Sequence, residues 1–535
     1  MVSSSGRIMM DSPKKDQPKL DDLSDESDVE IDDKSEICHF FRGCNVLVTG
    51  GSGFLGLLLI EKLLRSCSDI NKLYLLIRPK KGKSPEERLK EIFDRVIYER
   101  LKVEQPNFME KVVLIEGDMG QKLLGLSEES RKRLLEINIV FHLAATVRFD
   151  EKLRTAVNIN VRGTKEIVLL AKQMRNLKVF MYVSTAFSHY VRSSIDEVCY
   201  PPPIDVDRLL TIVENMDDAM LEAVQPMILG KWEYTYTFSK AVAEDTVLKY
   251  GAGMPICIVR PPIVLSTAKD PSAGWINNVF NVTGIFLGAG IGILRTMHCH
   301  KNKIMEAVPA DYVINNMICA AWDVDNKRND MANSLRDVST KLEVYNCVSS
   351  NASPITYEET FKKSFTALQE IKSTKILWHY GHKCEDRYWV YYINMVLFHL
   401  VPAVIVDTAA ILTGRKPMLM ELHKKVNKMA RMMQYIATHE WKFYDNNVQQ
   451  LWDKLNRVDR KEFNFNMKDF NWDEFMLIQC RGIQRYILKD TIDDSPEKRA
   501  HMFKVKIRHY VLVTVMWSFV LWLFVSILRY FGFWW

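Results

Sequence analysis

Short apolar runs punctuate the first half of the chain: NVLVTG from Asn45, LYLLIR over 73–78, VVLIEGD over 112–118, IVFHLAA over 139–145, VFMYVSTAF over 179–187 and ICIVRPPIV over 256–264. Each run is continuous rather than alternating and is rich in β-branched residues. Strands of that kind are buried on both faces, which predicts a parallel sheet covered by helices. Longer segments of helical period lie between the runs. Directly after the first, Leu57, Leu58, Ile60, Leu63 and Leu64 fall on one side of a helix. Strand and helix in alternation predict a doubly wound α/β fold.

The alternation weakens after about residue 270, where SAGWINNVFNVTGIFLGAGIG reads as an irregular segment lying over a site. From about 355 to 500 the chain is rich in helix formers, Lys, Met and aromatics, the pattern of a separate helical unit. Two apolar stretches follow different rules. YVLVTVMWSFVLWLFVSIL, residues 510 to 528, is uncharged and long enough to cross a bilayer. Lys498, Arg499, Lys504, Lys506 and Arg508 precede it and only Arg529 follows, so the positive-inside bias places the body in the cytosol. Val390 to Gly414 is interrupted by His399, Pro402 and Asp407. Two interfacial half-helices broken at Pro402 and a hairpin in the protein core are both open readings. The expected divisions are an acidic leader over 1–37, a dinucleotide-binding domain over 38–350, a helical unit over 351–505 carrying an apolar hairpin at 388–415, and an anchor over 508–530.

Composition narrows the function. The 535 residues are 47% apolar and carry a net charge of +6, with basic residues dispersed, which disfavours nucleic acid as a partner. The 10 cysteines stand singly with no CxxC, so neither a disulfide framework nor a structural metal site is expected. Residues 1–37 are dominated by Ser, Asp, Glu and Lys and contain DDLSDESDVEIDD, which predicts disorder, either as a regulatory tail or as a solvated leader.

The stretch VTGGSGFLG places Gly50, Gly53 and Gly56 between the first strand and the first helix, the context in which a glycine fingerprint binds a dinucleotide. Gly50 permits the tight turn, Gly53 lets the backbone approach a pyrophosphate, and Gly56 allows close packing of helix on strand. At the end of the second strand an NAD site needs an acid. Here stands Arg78, followed by Lys80, Lys81 and Lys83, cations that suit a 2′-phosphate and favour NADPH. Asp118, ending the third strand, is either an acceptor for the adenine amino group or a turn residue. In YTFSK, Tyr236 and Lys240 stand four apart and share a helix face. A lysine ammonium beside a phenol of pKa about 10 favours its ionisation, making Tyr236 a proton relay to a carbonyl oxygen that receives hydride, with Lys240 also holding the nicotinamide ribose. Ser184 and Thr185 at the end of the fifth strand could donate to that oxygen, Thr185 being preferred, or bond their own backbone.

Taken together, TGGSGFLG, HLAA, NVRGT, VSTAF, YTFSK and VRPPIV, in that order, resemble the extended short-chain dehydrogenase/reductase superfamily. With PKKGKSPEERL, DPSAGWINN, VPADYV, FHLVPAVIVDTAAILTGRKP and MKDFNWDEF the chain is similar to the alcohol-forming fatty acyl-CoA reductases of insect type, over about residues 38 to 535. The resemblance implies a cofactor turn on Gly50, Ser52, Gly53, Phe54, Leu55 and Gly56 and a catalytic pair on Tyr236 and Lys240. It implies two successive hydride transfers from NADPH, taking a long-chain acyl-CoA through an aldehyde to a primary alcohol, with no covalent cysteine intermediate. Where the family has VRPSIV this chain has VRPPIV, so Pro262 lacks the serine's hydroxyl and backbone donor. The C-terminal anchor implies a membrane-lipid environment, with the endoplasmic reticulum favoured and the peroxisome as the alternative. A membrane-bound steroid dehydrogenase or epimerase, and a non-enzymatic NADPH-binding scaffold, are the alternatives.

Overall fold

A computed structural model describes residues 34–80, 82–333 and 342–530. The acidic leader lies outside the described residues except at its end, where Ser35 caps the helix Glu36–Phe41. Lys81 also lies outside them.

All the apolar runs become strands of one parallel sheet: β1 Asn45–Thr49, β2 Lys72–Ile77, β3 Val112–Glu116, β4 Ile139–His142, β5 Val179–Val183 and β6 Ile256–Arg260. A seventh, β7 Glu343–Asn346, was not visible in the pattern because EVYN is short and charged at its first position. The strand order is β7-β6-β5-β4-β1-β2-β3. Val48 of β1 stands opposite Leu75 of β2 and the ring-bearing Phe141 of β4. The winding reverses between β1 and β4, and a crevice outside the carboxyl ends of those strands is where such sheets bind ligands. The helix Phe54–Ser66 covers one face with Leu57, Leu59, Ile60 and Leu63, all fully buried.

The helices beyond residue 355 share this core. Tyr357–Glu370 packs on Trp472–Gly482, and Phe443, Phe463 and Phe475 are buried in the same apolar cluster as Val48 and Leu57. Two short parallel ribbons join early and late chain, Ser194–Ile195 with Lys442–Phe443 and Thr296–His298 with Lys383–Glu385. The Trp441 indole donates to the Tyr190 carbonyl at 2.7 Å.

The apolar stretch around Pro402 is not two half-helices. It forms one 25-residue helix, Tyr388–Leu412, running through Pro402. The turn Val396–Leu400 widens to π geometry, with the Val401 N–H reaching back to the Val396 carbonyl, so the ladder absorbs the donor that proline lacks. The charge at Asp407 has a structural reason as well. Its carboxylate accepts from the N–H groups of Met418, Leu419 and Met420 at 2.8–3.0 Å and thereby caps the returning helix Leu419–Thr438. The second apolar helix is Pro496–Tyr530. Both are long and apolar enough to cross a membrane, and both expose large apolar side chains such as Ile405, Ile411, Trp517 and Phe524.

Candidate active site

A cleft of about 920 Å³ opens along the carboxyl ends of β1, β2, β4 and β5. The turn after β1 forms one wall. Gly50 has φ +76°, and a side chain there would meet the Ala144 backbone at 2.7 Å; at Gly56 it would stand 2.3 Å from the Gly50 carbonyl oxygen. Gly53 caps the helix Phe54–Ser66 without a side-chain hydrogen bond, and Phe54 and Leu55 in its first turn line the cleft. The first N–H groups of that helix therefore have no side-chain acceptor, which is the chemistry of a phosphate cradle. Ser52 lies beside them and accepts from the Arg88 guanidinium at 3.2 Å.

Next to the turn stands a group of cations. Arg78 pairs with Asp118 at 3.3 Å, and Arg88 donates to the Arg78 carbonyl. Burial, followed by the neighbouring Arg78 charge, lowers Arg88. Lys80 and Arg95 also line this end, whereas Lys83 pairs with Glu91. Asp118 has its other oxygen on the Gly120 N–H at 3.0 Å. Arg88 escaped the sequence reading because it sits inside a helix; the visible signal was the SPEE capping box of Ser84 and Glu87, which sets that helix so that Arg88 reaches the cleft.

At the far end, Tyr236 and Lys240 project from the helix Thr235–Tyr250 into the same volume as Thr185. Burial pushes the Tyr236 phenol up to about 12, and only the Thr185 hydroxyl pulls it the other way. Burial brings Lys240 down to about 7 against the pull of Glu244, and its Nζ donates to the Val183 carbonyl at 2.7 Å. Burial thus favours the phenol form of Tyr236. Ser184 and Thr185 diverge. The Ser184 hydroxyl donates to Glu244 at 2.6 Å, inside a closed network, so the hydroxyl that faces Tyr236 is that of Thr185. Pro262 lines the cleft opposite.

Three further features lay beyond the sequence reading. Asn160, in the π turn Val157–Arg162, joins the Thr146 backbone to the Ser239 hydroxyl at 2.9 Å and so steadies the helix of Tyr236. Its signal was the NVRGT motif. His142 is wholly buried between the Thr49 and Thr164 hydroxyls at 2.7 and 2.9 Å, and burial lowers it to about 3, so it stays neutral. Met433 and Ile436, from the helix Leu419–Thr438, bring the late part of the chain to the cleft wall.

A doubly wound sheet, a glycine turn and a Tyr–Lys pair sharing one cleft define an oxidoreductase that uses a nicotinamide dinucleotide, of the extended short-chain dehydrogenase/reductase class. Residues 48–317 and 398–490 match two family models described as male sterility protein, the first of them an NAD-binding domain. Fatty acyl-CoA reductase 1 of Rattus norvegicus is 37% identical over 493 residues, covering 90% of this chain and 92% of that protein. Fatty acyl-CoA reductase wat of Drosophila melanogaster is 32% identical over 503 residues, covering 94% and 95%. The reductase domain of a nonribosomal peptide synthetase from Mycobacterium tuberculosis shares the fold with a TM-score of 0.55 at 17% identity, over 84% of this chain and 95% of that one. The terminal R domain of the myxalamid pathway does so at 0.54 and 19%, over 85% and 93%. The chain belongs to the fatty acyl-CoA reductase family and is an enzyme of that kind. The epimerase, steroid dehydrogenase and scaffold alternatives are not favoured.

Proposed function

We propose that the protein reduces a long-chain fatty acyl-CoA to the primary alcohol by way of the aldehyde, with NADPH as reductant and CoA released. The observation that carries this reading is the single cleft in which Tyr236, Thr185 and Lys240 face the volume that begins at the glycine turn. The residues present suit the cofactor: a turn with no room for side chains, an uncapped helix start for the pyrophosphate, and Arg78 with Arg88 for a 2′-phosphate. When bound, the nicotinamide supplies hydride, once to the thioester carbonyl and once to the aldehyde.

The protein's part is to receive the resulting oxyanion. Tyr236, kept protonated by burial, gives its proton to the carbonyl oxygen in each reduction. The Thr185 hydroxyl donates to the same oxygen, and Lys240 holds the ribose within reach of Tyr236. Among the described residues no cysteine lines the cleft, which fits release of CoA by collapse of a hemithioacetal rather than by exchange onto the protein. Met433 and Ile436 close the wall on which the acyl chain lies and limit escape of the aldehyde to water. Asp118 is available to the adenine amino group beside its pairing with Arg78.

The helix Pro496–Tyr530 anchors the protein with its body on the cytosolic face, on the strength of the basic residues before the apolar run, and the endoplasmic reticulum is the membrane favoured. Incubation of membranes carrying the expressed protein with NADPH and an acyl-CoA length series is expected to yield alcohol. Oxidation of a sterol with neither aldehyde nor alcohol formed would overturn the reading. Replacing Arg78 and Arg88 together by Gln is expected to raise the KM for NADPH about tenfold or more while that for NADH changes little.

A further inference from the structure

Among the ties that hold the two apolar helices to the body, one from each helix meets at a common place, and that place is cationic. The Arg295 backbone N–H donates to His399 Nε2 of the helix Tyr388–Leu412 at 2.8 Å. The Trp378 indole donates to His509 Nδ1 of the helix Pro496–Tyr530 at 2.9 Å. Between these two fastenings lies the turn His379–Tyr380–Gly381–His382, with the His379 ring 5.4 Å from that of His509 and 6.1 Å from that of Tyr510. The Arg295 guanidinium lies over Gly381, where a side chain would come within 3.2 Å of Nη2, and its Nη1 donates to the His379 carbonyl.

Arg295 makes no ion pair with any carboxylate among the described residues, and burial alone lowers it to about 10, with no acid opposing. Burial lowers His379 too, and the charges that act on it in addition are those of Arg295 and Lys506. His379 Nδ1 and His382 Nε2 are buried without hydrogen-bond partners. A half-buried cation and unpartnered ring nitrogens form a set that an oxyanion would complete through charge-assisted hydrogen bonds. The setting selects the anion's source. Tyr388 and Trp389, both more than half exposed, begin one apolar helix, and Tyr510 opens the apolar run of the other just after Lys504, Lys506 and Arg508. Aromatic and basic residues of that kind mark the headgroup level of a bilayer.

We propose that Arg295, His379 and Lys506 bind the phosphate of an anionic membrane phospholipid at the junction where both apolar helices meet the body. The proposal rests on reading those helices as membrane-embedded. It gives the junction a ligand that locks both helices to the catalytic body.

The test uses the full chain in detergent, titrated with dioleoyl phosphatidic acid and followed by native mass spectrometry, with dioleoyl phosphatidylcholine and inorganic phosphate as parallel probes. Arg295→Gln is expected to weaken phosphatidic acid binding roughly tenfold while leaving phosphatidylcholine retention and NADPH binding unchanged. His379→Gln is a milder second variant, expected to weaken it severalfold, and serves should the first fail to fold. Unchanged phosphatidic acid affinity in a folded variant would overturn the site, and so would displacement of the lipid by an equal concentration of inorganic phosphate. Flotation of the wild type with liposomes separates the two claims. A chain that does not float overturns the membrane reading together with the site, whereas one that floats but binds phosphatidic acid no better than phosphatidylcholine overturns the site alone.

Discussion

Tyr236, Lys240 and Glu244 stand one turn apart on a single helix, yet the two ends of that row live in opposite electrostatic conditions. Glu244 is closed in. Arg260 reaches it at 2.6 and 2.9 Å, Ser184 at 2.6 Å, Ser188 at 2.9 Å and His189 at 3.1 Å. Burial pushes Glu244 up, but Arg260 and His189 outweigh it and hold the carboxylate well below its ordinary range. Arg260 is fully buried and its remaining donors go to the carbonyls of Asp196 and Val198. Lys240 is buried and Tyr236 half-buried, both line the cleft, and burial moves both toward their neutral forms. The contrast separates structure from chemistry along one helix: a buried charge with every partner supplied holds the fold, and a buried group with a partner missing is free to take one from a ligand.

The comparison breaks most visibly at the open end. Tyr236→Phe is expected to lower kcat by about 10²–10⁴-fold while NADPH binding and thermal stability stay near those of the wild type. Turnover within a factor of a few of wild type, in alcohol-formation assays, would remove Tyr236 from the mechanism. The closed end should answer in stability instead. Glu244→Leu leaves Arg260 buried without its carboxylate and is expected to cost about 3–5 kcal/mol in denaturant unfolding, with Glu244→Leu/Arg260→Met recovering much of that loss. The adjacent hydroxyls sharpen the division. Thr185→Val should reduce kcat about 10²-fold with little effect on stability, whereas Ser184→Ala should lose about 1 kcal/mol of stability and little activity; equal effects on kcat would erase the distinction between them.

The smallest effect is a slope against pH. Lys240 sits near 7 in the folded chain against an ordinary lysine value of 10.5, so between those limits the unfolded chain binds more protons and stability rises with pH. Lys240→Met should therefore stabilise the protein most below pH 7, with the gain shrinking as the pH climbs toward 10. Thermal melts of both proteins across that range check the sign, and a gain that grows with pH would show that Lys240 is charged and well paired in the fold.

Much of the fold was legible because its signals are local. Short continuous β-branched runs bounded by turn residues became the central strands of the sheet, whereas β7, short and charged at its start, and the two-stranded ribbons carry no such signal. The same holds for Gly50 and Gly56, whose close contacts lie with the turn itself and with the neighbouring strand end. What misled was a residue type read without its partner. Pro402 signalled a break, but the helix passes through it on a π turn. Asp407 looked like an interruption and is a cap for a helix eleven to thirteen residues on. The spacing of Tyr236 and Lys240 likewise does not show that the Lys240 Nζ also donates to the Val183 carbonyl.

By itself, then, the sequence determined six strands of the sheet, the dinucleotide turn, the spacing of Tyr236 and Lys240 and the C-terminal apolar helix, since each depends on residues within a few turns of one another. Tertiary structure alone decided which hydroxyl of the Ser184–Thr185 pair faces the cleft, that Arg88 joins Arg78 there, that Met433 and Ile436 complete the wall, and that Arg295 stands where both apolar helices meet the body. Those outcomes turn on partners up to hundreds of residues apart. A side chain's direction and charge are set by what packs against it, and no local pattern in the chain records that.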